Sequence, residues 1–209
     1  VGGGPTGVEM AGALVELFDT LNDDYPAFDV MEKAQVILLE MQKDLLPPYA
    51  KSLRDYTRQT LEERGVDVRT EATVERVESD AVRLADGTQI PTRTLVWAAG
   101  VQASPLADLL DAEQTRGGQI IVNDDLSMPN HANSFVVGDM AAIEGEADGW
   151  LPQLAQVAIQ SGRHAAQQIQ ARIDGTPTEA FRYTDLGQMA TIGRNAAVAE
   201  LAGGIKFKG

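Results

Sequence analysis

Two periodicities run along this chain. Between Gly7 and Phe18 the apolar residues Val8, Ala11, Val15 and Phe18 fall near one face of a 3.6-residue repeat, so the segment predicts an amphipathic helix. The acidic, proline-containing stretch Asp19 to Lys33 breaks that pattern and predicts a loop or short helix inserted before the next strand. Ala34 to Leu39 is then largely apolar and ends at Glu40, as a buried parallel strand would. Pro47-Pro48 opens a second predicted helix that runs to about Arg64. Leu53, Tyr56, Thr57 and Leu61 line one of its faces, and Gly65 caps its end. Val66 to Arg69 is a third short strand.

A period of two takes over next. Thr73 to Glu78, Ala81 to Leu84 and Thr88 to Pro91 alternate around an Asp86-Gly87 turn, which predicts an antiparallel meander. Thr94 to Trp97 is another apolar strand, closed by Ala98-Ala99-Gly100. The chain then changes character. Ile120 to Val122 and Phe135 to Asp139 predict short strands, the second ending in Gly138-Asp139, and a long helix spans about Pro152 to Ile173 before Gly175 and Pro177. Phe181 to Leu201 predicts strands or a hairpin turning at Gly193-Arg194-Asn195. Ile205 to Gly209 does not have the look of a natural finish.

The chemistry enters at the start. Gly2, Gly4 and Gly7, with Gly3, Pro5 and Thr6 between them, form a G-x-G-x-x-G fingerprint opening the first helix. Gly2 suits the tight turn out of a strand, Gly4 lets backbone approach a pyrophosphate, and Gly7 lets the helix pack against the sheet. The helix then offers free N–H groups and its positive end to phosphates. The alternative is a purely structural turn. A fingerprint of this kind follows a strand, and here that strand is almost absent, so the chain is expected to be a piece of a larger protein. Glu40 is the candidate ribose ligand, a carboxylate at a strand end that accepts hydroxyl hydrogen bonds and disfavours the extra phosphate of NADP. It lies 33 residues past Gly7, against ~20 in the usual pattern; the insertion accounts for the excess. The alternative is an ordinary strand-end charge.

Composition narrows the partners. The formal net charge is −14, which argues against unassisted nucleic-acid binding. Only five of the seventeen basic residues are lysines, and the acids are spread along the chain, a surface expected of a halophile or of an acidic mesophilic protein. No cysteine is present, so thiolate metal sites, disulfides and an active-site dithiol are absent from this sequence. No metal site is expected: His131 and His164 lack the spacing of ligands and read as surface residues. No apolar run reaches the length of a membrane span.

Four motifs in order carry a resemblance over nearly the whole chain: Gly2-Gly3-Gly4-Pro5-Thr6-Gly7-Val8-Glu9, Leu95-Val96-Trp97-Ala98-Ala99-Gly100, Val137-Gly138-Asp139 and Ala155-Gln156-Val157-Ala158-Ile159-Gln160; Ala190-Thr191-Ile192-Gly193 is a weaker fifth. Together they resemble the flavoproteins with two dinucleotide-binding domains and, within them, the type II NADH dehydrogenases, single-subunit FAD-dependent NADH:quinone oxidoreductases of the respiratory chain. The resemblance implies an α/β fold: a Rossmann-like NADH-binding domain with an antiparallel meander over residues 1–97, its first strand truncated. The returning part of an FAD-binding Rossmann-like domain would follow over 98–176, and the start of a C-terminal region over 177–209. A first FAD-binding segment and a C-terminal amphipathic membrane anchor would lie outside these residues.

The resemblance further implies FAD and NADH as cofactors, a quinone as acceptor, and hydride transfer from nicotinamide C4 to flavin N5 before quinone reduction. Gly2, Gly4 and Gly7 would cradle the NADH pyrophosphate and Glu40 its ribose. Glu9 matches a glutamate near the nicotinamide implicated in proton handling; its ordinary reading is a first-turn helix carboxylate. Ala99 and Gly100 would let the crossover pass close to the cofactors. Asp139 would accept hydrogen bonds from the FAD ribitol; its ordinary reading is a loop aspartate or a cap. The helix start at Leu154, Ala155 and Gln156 would aim N–H groups at the flavin pyrimidine edge. Gln156 and Gln160 share a helix face, and Gln160 would reach a quinone carbonyl; the ordinary reading is two solvated glutamines, as for Gln167 and Gln168. The implied location is peripheral, on the cytoplasmic side of the cell membrane, and a homodimer is allowed.

Asp185-Leu186-Gly187 departs from the family, where a basic residue often precedes that glycine, and points to a divergent subgroup or a different acceptor. Three other readings stay open. A ferredoxin reductase wants a basic docking face that this acidic chain does not offer, a sulfide:quinone reductase wants cysteines, and a non-catalytic nucleotide-binding module needs neither.

Overall fold

The computed structural model describes residues 1–25, 34–145 and 149–209. The chain divides into two compact units, residues 1–100 with 187–209, and residues 101–186. Among the described residues no helix is long and apolar enough to cross a membrane.

The first unit begins with α1 (Pro5–Asp24), β1 (Ile37–Leu39), α2 (Lys51–Glu63) and β2 (Asp67–Arg69). β1 and β2 pair in parallel with Leu38 opposite Val68. α1 buries Val8, Ala11 and Val15 as its periodicity predicts. It continues past Phe18 to Asp24, so the predicted break at Asp19 is not where the helix ends; residues 26–33 of that stretch lie outside the described residues. α2 starts at Lys51, past the two prolines, and buries Leu53, Thr57, Thr60 and Leu61. Gly65 follows it at φ 88°, a left-handed conformation that glycine takes without strain.

The meander is β3 (Val74–Val77), β4 (Ala81–Leu84) and β5 (Gln89–Pro91), antiparallel in that order. Residues 94–97 form no strand. The Val1 amine donates to Val96 O at 2.8 Å and Ala98 N donates to Val1 O at 2.8 Å. Among the described residues these are isolated hydrogen bonds, and a ladder needs several in register.

The first unit is completed from the other end of the chain. β10 (Gln188–Gly193), β11 (Ala196–Leu201) and β12 (Ile205–Lys208) form an antiparallel sheet in sequence order. Ala190, Ile192, Ala196 and Val198 point into the same core as Val8, Leu38, Leu53 and Leu61. The approach to α1 is close: a Cβ on Gly12 would strike the Ile192 carbonyl. Arg64 ties the pieces together, donating to Glu16 Oε1 at 2.7 Å, Ile192 O at 3.2 Å and Arg194 O at 2.8 Å.

The second unit has β6 (Ile120–Ile121), β7 (Ser127–Met128), β8 (His131–Phe135), β9 (Ala141–Ala142) and α3 (Ala155–Ile173). β6 pairs in parallel with β9, and β7 is antiparallel to β8. The predicted strand at Phe135 to Asp139 is shifted: β8 ends at Phe135 and Gly138–Met140 is a 3-10 turn. Gly138 takes φ 63°, which turns the backbone out of the extended path. Ile120, Leu126, Met128, Val136, Ile143 and Val157 make the core, with Phe181 and Tyr183 packed against it.

Asp125 holds the far end of α3. Its carboxylate accepts from the Ser127 amide at 3.0 Å, the Ser127 hydroxyl at 2.5 Å and Arg172 at 2.9 Å. Burial opposes its ionisation, but the hydrogen bonds from Ser127, Thr178 and Arg172 outweigh burial and hold its pKa down to about 2. The folded value lies below the unfolded one, so this contribution is present above ~pH 4 and is lost as pH falls toward 2. Asp125→Asn is expected to lower stability at pH 7 by about 1–3 kcal/mol. In denaturant titrations at pH 7 and pH 3 the difference from wild type should shrink at the lower pH; a difference independent of pH would contradict the assignment.

Candidate functional site

The glycine turn is built by contacts that leave its residues little freedom. Gly2 takes φ 108° and donates to the O of Leu39, the last residue of β1, at 2.8 Å. A Cβ at Gly2 would strike the Ala98 carbonyl and lie 2.9 Å from Ala99 Cα, so the Ala98-Ala99-Gly100 crossover runs against the turn. A Cβ at Gly7 would strike the Gly2 carbonyl. Gly4 differs: a Cβ there meets nothing within 4 Å. It precedes Pro5 and Thr6 at the start of α1, where no side chain caps the helix. Two glycines therefore satisfy protein packing, and the third opens onto space beside unpaired helix-terminal donors, the arrangement that accommodates a pyrophosphate.

Glu40 belongs to this turn. It is only 8% exposed. Its Oε2 accepts from Gly3 N at 2.6 Å and its Oε1 from Gln42 N at 2.7 Å. Each carboxylate oxygen has a second acceptor site, so the residue can brace the turn and still receive a hydroxyl. The next loop closes over the same glycine: Leu46 N donates to Gly3 O at 2.8 Å. Leu46 is fully buried at φ 49°, an unusual conformation for leucine that packing and this hydrogen bond hold in place. Sequence reading did not single out Leu46, because neither its hydrophobicity nor its position signals a left-handed residue.

Glu9 is exposed and lies beyond the first turn of α1, so the first-turn carboxylate reading does not hold. Its Oε1 accepts from Thr191 N at 3.2 Å, joining α1 to the weaker fifth motif. Tyr49 is buried nearby; desolvation, with Glu9 and Glu200 adding to it, pushes its phenol up to about 12 and keeps it neutral. A cleft of about 620 Å³ lies beside Val1 and Gly7, between β1 and residues 92–98. Met10, Leu14, Val36, Leu38, Ile90 and Leu95 line it, walls that suit an apolar chain segment better than a charged dinucleotide.

In the second unit, Gly138 donates to Ser161 Oγ at 3.2 Å, and a Cβ on it would lie 3.3 Å from Ala158 Cβ. This seats the 3-10 turn against α3. Asp139 is exposed in the first turn of this 3-10 element and is not its capping residue. Leu154 precedes α3, and no side-chain cap is made there.

Gln156, Gln160 and Gln168 of α3 are engaged by main chain, whereas Gln167 is exposed as expected. Gln156 Oε1 accepts from Leu186 N at 3.2 Å. Gln160 donates to Thr184 O at 2.9 Å and accepts from Thr184 N at 3.0 Å. Gln168, expected at the surface, is 4% exposed and accepts from Glu179 N at 2.7 Å. His164, also expected at the surface, is half-buried: Nε2 lies 3.0 Å from Glu179 O, and the ring meets Phe181 edge-on at 5.4 Å. The four-residue spacing of Gln156 and Gln160 was visible in the sequence; its continuation through His164 and Gln168 and the extended segment they grip were not.

Residues 1–162 match the family described as pyridine nucleotide-disulphide oxidoreductase. Over its full length the chain is 40% identical to the type II NADH:quinone oxidoreductase Ndh of Mycobacterium tuberculosis, of which it covers 46%. It is 32% identical to the internal alternative NAD(P)H-ubiquinone oxidoreductase A1, mitochondrial, of Arabidopsis thaliana, matching 100% of this chain and 43% of that protein. The chain thus spans about half the length of the curated relatives it matches. All of it superposes on 58% of NDH2 from Plasmodium falciparum in complex with NADH, with a TM-score of 0.85 at 17% identity, a likeness of fold. With its parallel strands, glycine turn and a match across most of its length, this chain belongs to the pyridine nucleotide-disulphide oxidoreductase family.

Proposed function

We propose that this chain is the NADH-binding and acceptor-side portion of an FAD-dependent NADH:quinone oxidoreductase. The observation that carries the reading is Gly4. It is open where a Cβ would go, it stands between two glycines whose Cβ atoms could not fit, and it opens an uncapped helix. That cradle fits the pyrophosphate of NADH, and Glu40 fits its ribose. In the second unit, exposed Asp139 and the uncapped start of α3 fit the ribitol and pyrimidine edge of FAD. The names of the relatives in Mycobacterium and Arabidopsis supply the acceptor, a quinone.

FAD, when bound, supplies the redox chemistry between NADH and quinone; the residues here orient and stabilise. The α3 N-terminus would favour the anionic edge of reduced flavin through its helix dipole. Glu9 would hold a proton near the nicotinamide, and Gln156 and Gln160 would face the quinone. Residues 1–97 would serve NADH, 98–176 the returning part of the FAD domain, and 177–209 the start of the C-terminal region. α3 exposes Ile159, Ile169 and Ile173 on its outer face, which favours further protein packing there. Peripheral membrane attachment, a homodimer and adaptation to high salt belong to this reading as well.

Two outcomes follow in the complete protein. Gly4→Ala should leave stability within ~0.5 kcal/mol of wild type, because the site is open, and weaken NADH binding at least ~tenfold. Gly7→Ala should cost ~1–3 kcal/mol of stability, because its Cβ meets backbone. Calorimetric titration with NADH and denaturant melts separate the two; equal losses of stability would contradict the cradle. In steady-state assays with a soluble quinone, NADH should be preferred to NADPH. Glu40→Gln should narrow that preference, and quinone-independent oxidation alone would count against the assignment.

A further inference from the structure

The side chains Gln156, Gln160, His164 and Gln168 stand at every fourth position of α3 and run antiparallel to residues 179–186. Gln168 binds Glu179, Gln160 binds Thr184 and Gln156 binds Leu186. Twelve residues of helix rise ~18 Å. Seven residues of extended chain reach at most ~23–25 Å, so a slightly relaxed strap matches the helix along its length. At two places the helix takes both polar groups of one strap residue, as a neighbouring strand would. Gln160 takes the N–H and C=O of Thr184. Gln168 and His164 share those of Glu179.

The chemistry of the far end is fixed. Glu179 O only accepts, so His164 Nε2 carries the proton and Nδ1 is left as acceptor for Gln168 Nε2 at 3.5 Å. Gln168 cannot flip its amide, because its oxygen is held by Glu179 N at 2.7 Å. At the near end, one N–H and one lone pair of Gln160 are engaged by Thr184. A primary amide has a second N–H and a second lone pair, and the strap fixes where those point.

We propose that Gln168 and His164 are positioning residues for the acceptor side. By clamping Glu179 they hold the strap in register, and the strap in turn orients the Gln160 amide for a quinone carbonyl. This rests on the reading of α3's N-terminal end as the quinone side.

The test uses the complete FAD-loaded protein with Gln168→Leu, the milder His164→Leu, Gln168→Glu (which keeps an acceptor for Glu179 N–H) and Gln160→Ala. The first readout is amide hydrogen exchange. Thr184 N–H should exchange at least tenfold faster in Gln168→Leu, although its own partner Gln160 is intact, and Gln168→Glu should restore protection. The second is stopped-flow. Gln168→Leu and His164→Leu should raise the quinone KM several-fold while leaving the rate of flavin reduction by NADH within twofold of wild type. Unchanged Thr184 exchange would overturn the proposal, as would equal loss in both half-reactions. Faster exchange with quinone kinetics altered only by Gln160→Ala would overturn the positioning role and keep the acceptor site. Quinone kinetics indifferent to every variant, Gln160→Ala included, would remove the acceptor reading on which the proposal rests. If Gln168→Leu does not fold, His164→Leu carries the same two readouts.

Discussion

The close approach of α1 to the strand end governs the first unit. Gly7 can have no side chain because the Gly2 carbonyl occupies the place of its Cβ, and Gly2 can have none because the crossover at Ala98 lies against it. Glu40 then pins the intervening backbone through Gly3 N, and Leu46 closes over Gly3 O. Steric exclusion and charge-assisted hydrogen bonds together present Gly4 and the free helix end outward. The shape of the turn is set by packing behind it.

The same economy of backbone contact recurs at the other end of the chain. β10 lies against α1 closely enough that Gly12 is required, and Glu9 and Glu16 receive amides from the β10–β11 hairpin. The hairpin's buried face is small apart from Ile192 and Val198, which lets its backbone sit near the helix. Residues far apart in sequence thereby stabilise the unit that carries the glycine turn. Glu9 in particular is held by main chain, which fixes its carboxylate better than an exposed helix position alone would.

Much of this was legible in the sequence, for identifiable reasons. The glycine turn, α1, the meander and the long helix each announce themselves by local signals: glycine spacing, period 3.6, period two, and terminal Gly and Pro. What was not legible depends on distant partners. Thr94 to Trp97 is apolar enough for a strand, yet among the described residues its backbone meets no strand to pair with. Gln168 has the composition of a surface residue and becomes a buried one because Glu179 brings backbone groups to it. Phe135 to Asp139 looks continuous, but the left-handed Gly138 turns it into a helical bend. Glu40 was found as a strand-end acid; its second task, bracing Gly3, required the fold.

In the proposed function electrons pass from NADH through bound flavin to a quinone, and the turn at Gly4 and the start of α3 would serve that transfer. Anaerobic flavin absorbance in the complete protein, kept at high salt, tests it most directly. Addition of NADH should bleach the flavin, and a soluble quinone added next should restore the oxidised spectrum. Bleaching without recovery would contradict the quinone as acceptor. A complete protein that binds no flavin would contradict the oxidoreductase account itself and leave a nucleotide-binding module.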